Sequence, residues 1–147
     1  MPTTAEIAKA LVADLNATVF SLPFTARRAY LPSFNLGDMT DLHVTVVATG
    51  RAVTPANRTL LQVEHRLDIA VQQRLGTGAE DTACDPLLGL VEEIADHLAG
   101  HNLAGASDAA WVKTEHAPLV AAEHLHEWRQ FTSIISVTYR TWEGGGP

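Results

Sequence analysis

Between Val63 and Leu75 the chain reads VEHRLDIAVQQRL, an alternation of period two: Val63, Leu67, Ile69, Val71 and Leu75 are apolar, while Glu64, Arg66, Asp68, Gln72 and Arg74 are not. Successive side chains of a β-strand point to opposite faces, so this run predicts a strand with one face for a core and the other for water or a partner. An α-helix would need apolar residues three and four apart instead. The run is also far longer than the common strand of roughly 5–6 residues. A strand over about 60–75 is therefore expected to overhang a small sheet and to need something to pair with or pack on.

The remaining elements follow from local signals. Thr3 or Thr4 caps a first helix ending near Asn16, with Ile7, Leu11, Val12 and Leu15 along one stripe. Strands are predicted near 24–31, 42–48 and 110–115, and in FTSIISVTYRTW, where Phe131, Ile135, Val137 and Tyr139 face one way. Residues 49–59 contain Gly50, Pro55 and Asn57 without a period and read as an exposed loop. GTGAEDTACDP reads as a second loop. It leads to a helix with Asp85 as N-cap, Pro86 in the first turn, a stripe of Leu87, Leu90, Val91, Ile94, Ala95 and Leu98, and Gly100 as terminator. The segment VAAEHLHEWRQ reads as a turn of helix or an ordered loop.

These elements predict an α+β fold: two layers, a mainly antiparallel sheet of about five strands, and two main helices on one face. No repeat or composition break divides the 147 residues, so a single domain over 1–147 is expected, with 1–3 and 144–147 flexible. Leu67, Ile69, Val71, Leu90, Ile94, Leu98, Ile135 and Val137 are predicted to share one core.

Composition narrows the chemistry. Ten Lys+Arg against 17 Asp+Glu give a formal charge of −7, which disfavours affinity for phosphate backbones over the surface as a whole. A lone cysteine, Cys84, excludes an intrachain disulfide and fits a reducing cytoplasm. No apolar run approaches the ~20 residues of a membrane span, and no signal peptide is visible, so a soluble protein is expected. Five of the eight arginines (Arg27, Arg28, Arg51, Arg58 and Arg66) fall in the first half of the chain, a polarity suited to head-to-tail docking.

No catalytic constellation emerges. Cys84 lies in a predicted loop without a cationic neighbour, and no nucleophile elbow, dinucleotide fingerprint or phosphate loop is present. Seven histidines raise a metal reading: His97 and His101 stand four apart on the second helix with Glu93 one turn earlier, and Glu123, His124 and His126 form another cluster. Neither is an H-E-x-x-H motif, and His101 lies beyond the expected terminator. Solvated side chains at a helix C-terminus, with no metal and no cofactor, are the expectation. Trp128 and Trp142 flank the last strand at positions where subunit contacts recruit tryptophan.

LDIAVQQRL, DPLLGLVEEIADHLAG and WVKTEHAPLVAAEHLHEWRQFTSIISVTYR, in that order and spacing, resemble the tail terminator, or head-to-tail joining, family of tailed phages and prophages. The resemblance covers about residues 24–142 and is a pattern of strands and helix with an RQFTS entry into the last strand, not a catalytic signature. It implies a non-enzymatic protein that forms a homo-oligomeric ring, typically a hexamer, on the end of the tail tube. Such a ring ends tube growth and offers the surface to which the head docks. Its partners are the tail tube protein and a head–tail connector or neck protein, DNA passes through without specific binding, and the place is the virion tail, assembled in the host cytoplasm. On this reading Glu64, Arg66, Asp68, Gln72, Arg74, Trp128 and Trp142 are candidate subunit-interface residues, and Arg51 and Arg58 belong to a candidate docking loop. The alternatives are a head-completion or neck ring protein, and a small metal-dependent enzyme using Glu93, His97, His124 and His126.

Overall fold

The structure, a computed structural model, describes residues 2–29, 42–75, 80–116, 121 and 129–144. Helix α1 spans Thr4–Ala17, and Thr3 opens it with a full capping box: its hydroxyl accepts from the Glu6 amide at 3.2 Å while the Glu6 carboxylate accepts from the Thr3 amide at 3.0 Å. Thr3 is thus fastened, not part of a loose end as expected. Ile7, Leu11 and Leu15 are buried along the predicted stripe, joined by Ala8 and Ala10. Past the helix, the Asn16 side chain accepts from the Ala26 amide at 2.7 Å and donates to its carbonyl at 3.2 Å, which ties the helix end to the first strand.

Strands β1 (Ala26–Ala29), β2 (His43–Pro55), β3 (Leu60–Arg74), β4 (Ala110–Glu115) and β5 (Gln130–Gly144) form one sheet in the order β1-β2-β3-β5-β4, with helix α2 (Glu80–Leu98) between β3 and β4 in sequence. Among the described residues, only the β1–β2 pair is parallel. The fold is therefore α+β with a mainly antiparallel sheet.

Register explains the core. Val46 lies beside Ile69, which lies beside Ile135; Ala48, Leu67 and Val137 form the next row. These positions share a face, and their buried side chains make one cluster with Ile7, Leu11 and Leu15 of α1 and Leu87, Leu90, Val91, Ile94 and Leu98 of α2. All eight residues expected in the core are in it. A 3-10 turn at Ala104–Ala106 packs against α1 so closely that a Cβ on Gly105 would stand 3.2 Å from Cβ of Ala10.

Two boundaries differ from expectation. The segment 49–59 is not a loop: β2 continues to Pro55 with one irregularity between Ala48 and Gly50, and only residues 56–59 turn. Glycine and proline in isolation signal a break, but here they sit on a strand whose outer edge needs no ladder bonds, where both are tolerated. Likewise α2 begins at Glu80, so Pro86 lies inside the helix and Asp85 is not its N-cap. Cys84, expected in a loop, lies in this helix, half-buried against the core. Gly144 ends β5 and is not part of a tail.

Candidate assembly surface and a histidine–aspartate cluster

The sheet face opposite the buried cluster carries the alternation's polar set. Glu64 faces Arg140 across the β3–β5 ladder and accepts from its guanidinium at 2.7 Å. Asp68 accepts from the Ser136 hydroxyl at 2.7 Å and lies 3.9 Å from Nε of Arg66, which also donates to Ser136 at 3.2 Å. On β4, Lys113 meets Glu115 at 2.7 Å, and this ammonium holds the Glu115 carboxyl below its ordinary range. Together with Gly50, Ala52 and Thr138 these strands line an open trough of about 240 Å³. Arg66, Arg140 and Lys113 offset Glu64, Asp68 and Glu115, so the row of charge finds its partners inside one chain rather than requiring a neighbour.

The other candidate residues divide. Gln72 is only 1% exposed and its side-chain nitrogen has no hydrogen-bond partner among the described residues, so it is not a free surface group; Arg74, at the strand end, is exposed. Arg51 belongs to β2, registers with His65 and lies 3.6 Å from the Glu143 carboxylate, which places it by register on the face opposite Arg66. Arg58 sits exposed in the hairpin turn. Trp142 is 39% exposed beside Gln62 near the end of β5. Trp128, Glu123, His124 and His126 lie outside the described residues.

The predicted overhang is paired within the chain. β3 registers with β2 as far as Leu61 beside Pro55 and with β5 as far as Leu60 beside Gly144, whereas β1 reaches only Val47 and β4 only Arg140. The ends of β2, β3 and β5 thus form a three-stranded arm beyond the outer strands. Residues 49–59 are exposed throughout, with Val53 at 44%, and by register Val53 and Trp142 lie on opposite faces of the arm. Among the described residues, no strand pairs with the outer edge of β2 beyond Val47 or with the outer edge of β4.

Where the arm meets the covered sheet, buried His65 bridges two threonines: Nδ1 lies 2.7 Å from the Thr4 hydroxyl of α1 and Nε2 lies 2.9 Å from that of Thr141. Burial lowers its pKa from the usual 6.5, and the nearby Arg51 charge adds to this while Glu143 opposes it.

A second cluster joins the helices. Nε2 of His97 lies 2.8 Å from one carboxylate oxygen of Asp14 and Nε2 of His101 lies 3.0 Å from the other. Gly100, with φ of 70°, and a bond from the His101 amide to the Leu98 carbonyl at 3.0 Å curl the chain so that His101 comes back beside His97, their ring centroids 4.7 Å apart. A position past the terminator therefore does not separate the pair. Glu93 instead accepts from the Ser21 amide at 3.1 Å and from its hydroxyl. Asp14 escaped sequence reasoning, although it lies seven residues after Ile7 and so on the inward side of α1. Its charge adds to burial in raising the pKa of Tyr139, whose hydroxyl is buried without a hydrogen-bond partner among the described residues.

Compared with known proteins, the chain matches no protein-family model and no curated protein.

Proposed function

We propose that this chain is a non-enzymatic assembly subunit, a homo-oligomeric ring that caps a phage tail tube, ends its growth and offers the docking surface for the head. The tail-specific part of this reading rests on the sequence resemblance over residues 24–142. Its assembly part is carried by one observation: among the described residues, no strand pairs with the outer edge of β2 along the three-stranded arm or with the outer edge of β4 on the other side of the sheet. A long open edge invites strand pairing. Two different edges on opposite sides make a head-to-tail contact, and head-to-tail contacts close into rings when the rotation permits. Val53 and Trp142 supply apolar surface on the two faces of that arm. The formal charge of −7 suits a conduit along which DNA slides without being held.

Sedimentation of the full chain, alone and with tail-tube subunits, tests the reading. The parent is expected to form rings, and the Val53→Asp, Trp142→Ser double variant to remain a folded monomer. A parent that stays monomeric in both settings removes the terminator role. Association with neck protein and not with tube would instead favour the head-completion alternative. Of the residues of the enzyme alternative, Glu93 accepts from Ser21 and His97 meets Asp14, while His124 and His126 lie outside the described residues.

A further inference from the structure

We propose that Asp14, His97 and His101 form a binding site for a divalent transition metal of the zinc class, which fastens α1 to the C-terminal end of α2. The inference is independent of the ring reading. One carboxylate oxygen and two imidazole nitrogens, from two elements more than eighty residues apart in sequence, lie within 4.8 Å of one another.

Zinc holds nitrogen and oxygen ligands at about 2.0–2.2 Å in tetrahedral array, which sets neighbouring ligand atoms roughly 3.3 Å apart. The two Nε2 atoms lie 2.8 and 3.0 Å from Asp14, each against a different carboxylate oxygen, and with one oxygen taken as ligand all three ligand atoms lie within 4.8 Å of one another, so modest side-chain rotation brings them around one ion. A carboxylate only accepts hydrogen bonds, so each histidine presents an Nε2 proton to Asp14 in the metal-free protein. On binding, each neutral ring carries its proton on Nδ1 instead and turns the Nε2 lone pair to the metal. Asp14 contributes the negative charge.

The surroundings suit such a site. Phe20 stands edge-on to the His97 ring at 5.6 Å and is itself stacked on Phe24, which restrains the imidazole. The Thr18 hydroxyl lies 3.3 Å from Nε2 of His97 and donates to the Asp14 carbonyl, leaving a polar wall beside the metal position. All three ligand residues are half-buried, so the ion has a path in and water completes the fourth position. Two imidazoles with a single carboxylate select Zn²⁺, Co²⁺ or Ni²⁺ over Mg²⁺ and Ca²⁺, which require oxygen-rich shells.

The test is titration of untagged, EDTA-stripped full-length protein with Zn²⁺ by calorimetry, and with Co²⁺ by visible absorption. About one equivalent should bind, with four-coordinate Co²⁺ bands and a rise in Tm. Asp14→Asn and His101→Gln should each weaken Zn²⁺ binding by at least about 10–100-fold. His101 is the more exposed ligand, so its variant retains the fold if loss of Asp14 disturbs the helix contact. A His124→Ala, His126→Ala variant should bind as the parent does. Failure of the parent to bind Zn²⁺ at ~100 μM overturns the proposal, as does binding that survives both ligand variants.

Discussion

Strands β2, β3 and β5 each pass through two environments, and the contrast is instructive because the strands themselves do not change. In the covered half, Val46, Leu67, Ile69, Ile135 and Val137 share one buried cluster with residues of α1 and α2, and alternation is enforced because a one-residue slip would turn this whole set toward water. In the arm, residues 49–59 of the chain are exposed, and the outer strands β1 and β4 are missing. The first half is held by burial and the second mainly by ladder bonds and cross-strand pairs such as Arg51–Glu143. Stability belongs to the covered half, while the arm retains the free edge and apolar surface that recognition of another chain requires.

The largest expected effect tests the covered half. Ile94→Ala removes a fully buried side chain of α2 and should cost about 2–5 kcal/mol in chemical denaturation. A loss below about 1 kcal/mol would mean that α2 does not seal this face.

Next comes the junction. Thr141→Val leaves Nε2 of buried His65 without a partner and should cost about 1–3 kcal/mol. The same histidine makes stability pH-dependent. Because its folded pKa is lowered, the unfolded chain takes up the proton first, so its contribution is present above pH 6.5 and is lost as pH falls through 6.5 toward the folded value. Denaturation midpoints measured from about pH 7 down to pH 5 should therefore fall less steeply for His65→Gln than for the parent. Equal slopes would separate the junction from acid sensitivity.

A smaller effect belongs to the open face. A double-mutant cycle on Glu64 and Arg140 should give a coupling of about 0.2–1 kcal/mol, as for other partly exposed ion pairs. Coupling near zero in the isolated chain that becomes large in an assembled ring would return the charge row to the interface.

The smallest effect should be in the arm itself. Val53→Ser is expected to change monomer stability by no more than about 0.5 kcal/mol, since the side chain already meets water. A cost of several kcal/mol would mean that the arm is folded against something within the chain, and the contrast between the halves would disappear.

The core was legible because burial leaves a periodic trace: every third and fourth residue in Ile7–Leu15 and Leu87–Leu98, every second in Val63–Val71 and Phe131–Tyr139. β4 appeared at its observed bounds, and of the two threonines offered as caps the structure uses Thr3. The errors were made where a local signal met a tertiary context that cancelled it. Gly50 and Pro55 argue against a strand until an outer edge without ladder partners makes them harmless, and Pro86 marks a helix start, yet the helix begins at Glu80 with Cys84 packed against the core two residues before the proline.

The candidate sites show the same division more sharply. Alternation identified Glu64, Arg66 and Asp68 as sharing a face, because strand geometry alone dictates it. That Glu64 pairs with the Arg140 guanidinium and Asp68 accepts from the Ser136 hydroxyl depends on β5 lying beside β3, some seventy residues away in sequence. The four-residue spacing of His97 and His101 was visible as well, yet their convergence on Asp14 required α1 to lie against the end of α2 and Gly100 to turn the chain back. Local periodicity determines which way a side chain points from its own element. Which side chain it meets is decided by how elements distant in sequence pack, and no local pattern carries that.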